Sequence, residues 1–392
     1  MSAIQVDVAV VGAGIVGLAA TDALLRRGAS VVCLDAGAPG HGQSAGVARG
    51  FRHLHTDPAL MRLAVRSHAG WRRLEERAAV DLLERGGMVR LGADIEPEIA
   101  ALREIGVEGR VLDRGEARAR MPWLAPEAGP LLLDPDAGAV RARAAIAALT
   151  ALAGDALRLA RVDAIEAAPG GVRLRTATGE VRCTRCLVCA GAGTERLVAP
   201  LGIFIARERR AAFRLTFRAR TPAAGPAPVW SDRSGRFGAG AYGAPEGPDR
   251  YAVGLVAALA AVEGPDAEAV PASAVDVRAA RRRLVAYVRA ALPGLDPEPV
   301  DGVLRLIAPL RGPDEDALGL WARDGVLAVA GHNLFKHAPA ASRTAIVIRT
   351  SAQRRPWSSV ISTSHTQVVR PRWRRRASAW IVPSVIGRRK LV

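Results

Sequence analysis

The chain has 392 residues, 49% hydrophobic and 24% charged, so it can bury a core without disulfide or metal staples. That balance excludes a disordered, collagenous or coiled-coil architecture. The net charge of +17 is uneven: residues 341–392 hold twelve Lys/Arg and no acid, while the first 340 hold 43 basic and 38 acidic residues, a net of +5.

Val6–Val11 is an apolar run, read as a buried parallel strand. Gly12-Ala13-Gly14-Ile15-Val16-Gly17 follows at once, and Leu18–Arg27 reads as a helix ended by Gly28. Ser30–Leu34 is a second strand, closed by Asp35. A Gly-rich turn between strand and helix lets backbone approach a pyrophosphate at a helix N-terminus. An acid after the second strand lies where a carboxylate holds ribose hydroxyls. In this context the fingerprint reads as dinucleotide binding rather than a chance turn.

Further along, 62–79 is an arginine-rich amphipathic helix with Trp71 on its buried side. Met88–Leu91 and Leu131–Leu133 read as strands, Ala139–Ala153 as a helix and Leu157–Ile165 as a strand. Val172–Thr176 with Glu180–Cys183 reads as a hairpin, and Leu187–Cys189 as a short strand running into Ala190-Gly191-Ala192-Gly193. Strands follow at 211–219 and 251–255, a helix at 276–291 and a buried strand at 326–330. Loops are expected at 222–228 and 244–249. Ala340–Ile348 can begin a helix, and 346–392 reads as a basic, irregular tail. Its abrupt loss of acids is also what a shifted reading frame would produce.

Four cysteines suit a reducing compartment, and neither a signal peptide nor a membrane span is expected, which points to the cytoplasm. Cys183, Cys186 and Cys189 lack a nearby fourth ligand, so we read them as incidental and expect no metal. Only two lysines occur, Lys336 and Lys390, which makes Lys336 conspicuous. Alone, Arg49 and Arg52 read as solvated loop residues.

Four pieces in order change that reading. They are the loop Gly42-Gln43-Ser44-Ala45-Gly46-Val47-Ala48-Arg49-Gly50-Phe51-Arg52, the segment Asp134–Val140, the strand and turn Leu187–Thr194, and Val329-Ala-Gly-His-Asn-Leu-Phe-Lys336. Together they resemble the glycine/D-amino-acid oxidase superfamily of FAD enzymes, particularly its sarcosine oxidase and N-methyltryptophan oxidase branch. The resemblance implies an α/β, two-domain (α+β) fold: a Rossmann-like FAD domain of glutathione-reductase type and a mainly antiparallel substrate domain. The FAD domain would take 1–80, 138–206 and 312–345, and the substrate domain 81–137 and 207–311.

The implied reaction oxidises the C–N bond of an amino acid or secondary amine by hydride transfer to flavin, giving an imine. Molecular oxygen or another acceptor would reoxidise the flavin. FAD would rest on Gly12, Gly14, Ile15, Val16, Gly17, Asp35, Ala36, Gln43, Ser44, Arg49, Val162, Ala190, Gly191 and the run Gly331-His332-Asn333-Leu334-Phe335-Lys336. Arg52 and Lys336 would hold the substrate carboxylate, an Arg fork beside a Lys point charge. His332 would help stabilise reduced flavin, a general-base role being the weaker reading. Tyr242 and Tyr251 read first as core residues, with Tyr242 carried as a substrate contact.

The relatives' flavin-linking cysteine falls near Ile307, so non-covalent FAD is expected. Their oxygen-activating lysine falls near 251–253, where none exists. The protein is expected to be a monomer. Nucleic acid is not an expected partner; binding through the tail, with Arg372–Arg376 beside Trp373, is the alternative from another class.

Overall fold

The computed structural model describes residues 4–92, 95–256, 260–262, 270, 275–311, 316–340 and 380–381. The readings for Ala340–Ile348 and the tail lie largely outside them. From the tail, Trp380–Ile381 pairs with Leu320 and Gly319.

Strand β1 (Ile4–Val11), helix α1 (Ile15–Leu25) and β2 (Val31–Asp35) form in the predicted order, with the helix starting at Ile15 rather than Leu18 and ending at Leu25 rather than Arg27. β1 lies in the middle of a sheet, parallel to β2 on one side and to Gly179–Val188 on the other. Val326–Gly331 adds a further parallel strand beyond Gly179–Val188. Both faces are covered, so β1 is apolar at every position from Val8 to Val11 rather than alternating.

Several expected boundaries move. The helix expected from Ala139 starts at Ala142, because Gly138–Arg141 is a strand paired with β3 (Ala48–Phe51). The strand expected over 157–165 breaks into Leu157–Leu159 and Val162–Ala168. The hairpin's second strand does not stop at Cys183. It runs unbroken through Gly179–Val188, so one strand serves both the hairpin and the central parallel sheet. The second expected helix, α2, is longer than predicted, at Pro58–Ala78. Asp57 caps it, accepting the Ala59 N–H at 2.7 Å, and Pro58 occupies its first turn.

A second, mainly antiparallel sheet is built from strands between 88 and 134 and between 210 and 307. Helix Val277–Ala291 packs Leu284, Tyr287 and Val288 against it, with Asp276 as N-cap. Its strand Asp301–Ile307 has no counterpart in the sequence reading.

Candidate active site

The Gly-rich turn is held from three sides. Gly12 has φ +105°, and a Cβ there would come within 2.5 Å of the Cys189 carbonyl oxygen, so only glycine lets the turn press against that strand end. Asp35 reaches back from β2, accepting the Ala13 N–H at 2.5 Å and the Gly37 N–H at 3.0 Å. Ser44 Oγ accepts the Ile15 N–H at 3.0 Å. Asp35 therefore fastens the turn, and each of its oxygens keeps a second lone pair for a ribose hydroxyl.

Gly14 and Gly191 each face one polar side chain. A Cβ on Gly14 would meet only Ser44 Oγ, at 3.2 Å, and one on Gly191 only Gln43 Oε1, also at 3.2 Å. Buried Arg207 fixes the 191–193 turn, donating to the Gly191 carbonyl at 3.0 Å and to Glu195 at 3.0 Å. The α1 N-terminus, Ser44, Gln43 and the Ala190-Gly191 turn thus frame one cradle at the carboxyl ends of parallel strands. That is where a dinucleotide pyrophosphate fits, and the residues present suit FAD. Ala36 is exposed and Val16 half-buried. The Val162 side chain packs in the core with Val32 and Leu34, which leaves only its backbone for a cofactor.

The second group lies where β3 meets the chain after Gly331. Lys336 sits in a short 3-10 turn, Leu334–His337, entered through Asn333 at φ 55°. Its side chain is 2% exposed. Trp71 of α2 donates its indole N–H to the Lys336 carbonyl at 2.9 Å and stacks on Phe335. The Arg49 guanidinium lies 5.5 Å from the Phe335 ring centre and donates to the carbonyls of Gln43, Ala45 and Ala48. His332 is half-buried just after the Val326–Gly331 strand.

Arg52 and Lys336 converge, and an internal carboxylate joins them. Asp316 Oδ2 lies 2.5 Å from Arg52 Nη2, 3.2 Å from His55 Nδ1 and 3.6 Å from Lys336 Nζ. Asn333 donates to its other oxygen. Burial alone would raise the Asp316 carboxyl, but Lys336, Arg52 and His55 hold it far below the usual carboxylate range. Burial, then Lys336, pushes the His55 imidazole down to about 3, and the same two causes depress His337, 5.3 Å away ring to ring. His53 is turned away onto buried Asp134, 3.1 Å from its Nδ1. The sequence reading missed Asp316; no local pattern marks it.

Tyr242 keeps 37% of its surface accessible, while burial and then nearby arginines act on its phenol, with a net rise in pKa. Tyr251, by contrast, is a core residue whose hydroxyl donates to the Pro228 carbonyl at 2.7 Å.

A parallel sheet with a glycine cradle, together with a second, mainly antiparallel sheet, defines a two-domain flavoprotein architecture. The family model described as DAO, FAD dependent oxidoreductase, matches residues 7–346, and the chain belongs to that family. It is 28% identical over 212 residues to monomeric sarcosine oxidase of Bacillus sp. (strain B-0618), covering 51% of this chain and 54% of that one. It is 29% identical over 209 residues to N-methyl-L-tryptophan oxidase of Citrobacter koseri, covering 50% and 56%. The chain spans about half the length of these curated relatives. Among solved structures, NikD, titled an unusual amino acid oxidase essential for nikkomycin biosynthesis, superposes with TM-score 0.78 at 24% identity, covering 90% of this chain and 96% of that one. L-proline dehydrogenase from P. horikoshii superposes with TM-score 0.76 at 18% identity, covering 90% and 95%. These likenesses establish the fold. No helix among the described residues is long and apolar enough to cross a membrane.

Proposed function

We propose that this protein oxidises the C–N bond of an amino acid or secondary amine, an N-methyl or cyclic amino acid, with FAD bound non-covalently. The carrying observation is the meeting of Arg52 and Lys336 on one carboxylate, Asp316. Among the described residues these two cations stand around the same carboxylate, and a substrate carboxylate would join them beside Asp316. When bound, FAD supplies the two-electron acceptor for the amine carbon.

The chain's own residues would do the rest. The α1 N-terminus with Gly14 and Ser44 would hold the pyrophosphate, and Asp35 the ribose. The fixed charges of Arg49, Arg52 and Lys336 would favour the neutral form of a bound amine, the form able to give up a hydride. The buried His55 and His337 rings, kept uncharged, would add no further positive charge to the clamp. Tyr242 would close the far side of the cleft.

Oxygen as acceptor, a monomeric state and a cytoplasmic location belong to the same proposal, the last resting on four free cysteines. The substrate-binding role of the antiparallel sheet does too. The purified protein should be yellow, and acid precipitation should release its flavin, since Ile307 stands where relatives carry the linking cysteine. Anaerobic mixing with N-methyl and cyclic amino acids should bleach it. Arg52→Ala or Lys336→Ala should lower kcat/KM by about 10- to 150-fold, at roughly 1.5–3 kcal/mol per charged hydrogen bond. Equal losses for amines lacking a carboxylate would refute the clamp.

A further inference from the structure

A second cationic group faces the same loop. Arg214 and Tyr242 both lie opposite Gly254, on the two strands that flank it, so they share one sheet face. Gly254 has no side chain, and Tyr242 leans into that gap: a Cβ there would come within 2.6 Å of its hydroxyl. On the other side Arg214 pairs with Val303, which puts Arg305 on the diagonal of the same face. Arg305 reaches across to Gly46, where a Cβ would strike its guanidinium and come within 3.0 Å of Arg49 Nη1.

Three guanidinium groups therefore gather between this sheet face and the Gly46 loop. One carboxylate balances them: Glu246 accepts from Arg214 at 2.6 Å and from Thr216 Oγ1 at 2.8 Å. Arg49 is met by carbonyl oxygens, and Arg305 makes no ion pair among the described residues. The excess is two positive charges. Burial, followed by Arg305 and Arg214, pushes the Arg49 guanidinium down to about 9; burial and then Arg214 lower Arg305 as well. Like charges crowded out of water carry an electrostatic cost that an arriving anion relieves. This group is joined to the Arg52–Lys336 clamp by the step from Arg49 to Arg52, at most about 10 Å of backbone.

We infer that Arg305, with Arg214 and Arg49, receives a second anionic group of the substrate, so that the preferred substrate is an amino or imino acid carrying an additional carboxylate. The inference rests on the proposed function and narrows it. Arg305 is the specificity-determining residue, because Glu246 already engages Arg214.

The test compares non-reacting ligands on the holoenzyme, read by perturbation of the flavin spectrum: butyrate with one carboxylate and glutarate with two. Anaerobic bleaching by N-methylalanine and N-methyl-L-glutamate runs beside it. Glutarate should bind at least ~10-fold tighter than butyrate, and N-methyl-L-glutamate should bleach at correspondingly lower concentration. Arg305→Gln should bring the two ligands within about two-fold at unchanged flavin content, and Arg305→Lys should keep much of the preference. Equal binding of glutarate and butyrate by the unmodified holoenzyme overturns the inference and leaves the proposed function standing. So does an Arg305→Gln protein that loses flavin in proportion, because the arginines then serve the cofactor. If neither ligand binds and no amine bleaches the flavin, the proposed function has failed and the inference falls with it.

Discussion

Replacing Asp316 by asparagine separates two roles for the carboxylate inside the clamp. In the folded chain it touches Arg52 at 2.5 Å and lies 3.6 Å from Lys336, with 12% of its side chain exposed. A substrate carboxylate on the same two cations would sit roughly 6 Å away, where two like charges repel by about 3 kcal/mol at an effective dielectric of 20. Relaxation and water would leave about half of that, so Asp316→Asn should tighten butyrate about 10-fold. Stability moves the other way. Uncompensated buried charge typically costs 3–5 kcal/mol, and the asparagine oxygen still accepts from Arg52, so the loss should be about 2–3 kcal/mol. At ~2–4 °C per kcal/mol, Tm should fall by roughly 5–10 °C. Spectral titration of the holoenzyme and a thermal melt measure both. Butyrate binding that weakens 10-fold would refute the reasoning and make Asp316 the residue that positions Arg52 and Lys336.

Acid should destabilise the fold early. His55 is depressed to about 3 and His337 well below 6.5, so between those limits the unfolded chain binds more protons and stability falls as pH falls. From pH 7.5 to 5.5 the two should together cost about 3 kcal/mol in denaturant melts, and His337→Gln should remove about half; an unchanged midpoint would contradict it. Gly14→Val should abolish flavin retention with little change in the far-UV spectrum, because Gly14 has φ −72° and an ordinary backbone; retained flavin would place the pyrophosphate elsewhere. Gly17→Ala should instead damage folding, because its Cβ would strike the Gly12 carbonyl. Reduced enzyme should reoxidise slowly in air, since 251–253 offers Tyr-Ala-Val and no cation, and Arg49 spreads its charge and is a poor proton donor. Stopped-flow reoxidation as fast as in typical amine oxidases would point to another group.

What the sequence made legible was local or positional. The β1–turn–α1–β2 unit declares itself because apolar run, glycines, helix and acid fall within about thirty residues. The helix boundary at Asp57 carries a cap signal that periodicity alone passed over. Asp316 was invisible because its partners stand at positions 52, 55 and 336, and proximity across such separations leaves no pattern in one sequence. Arg214 and Arg305 were hidden differently. In a chain with 53 arginines, an arginine on a strand looks like solvent exposure until register shows which face it shares.

The bond from Trp71 to the Lys336 carbonyl spans 265 residues of chain. On a ribosome adding roughly 5–20 residues per second, α2 would wait about 15–50 s for the segment it braces. β1 waits too, because Val8 pairs with Arg185 on a strand made much later. During that interval the apolar flank of β1 has no permanent cover, and neither the clamp nor the cradle exists. The nascent protein should therefore depend on holding chaperones through most of its synthesis, and flavin can lodge only near the end.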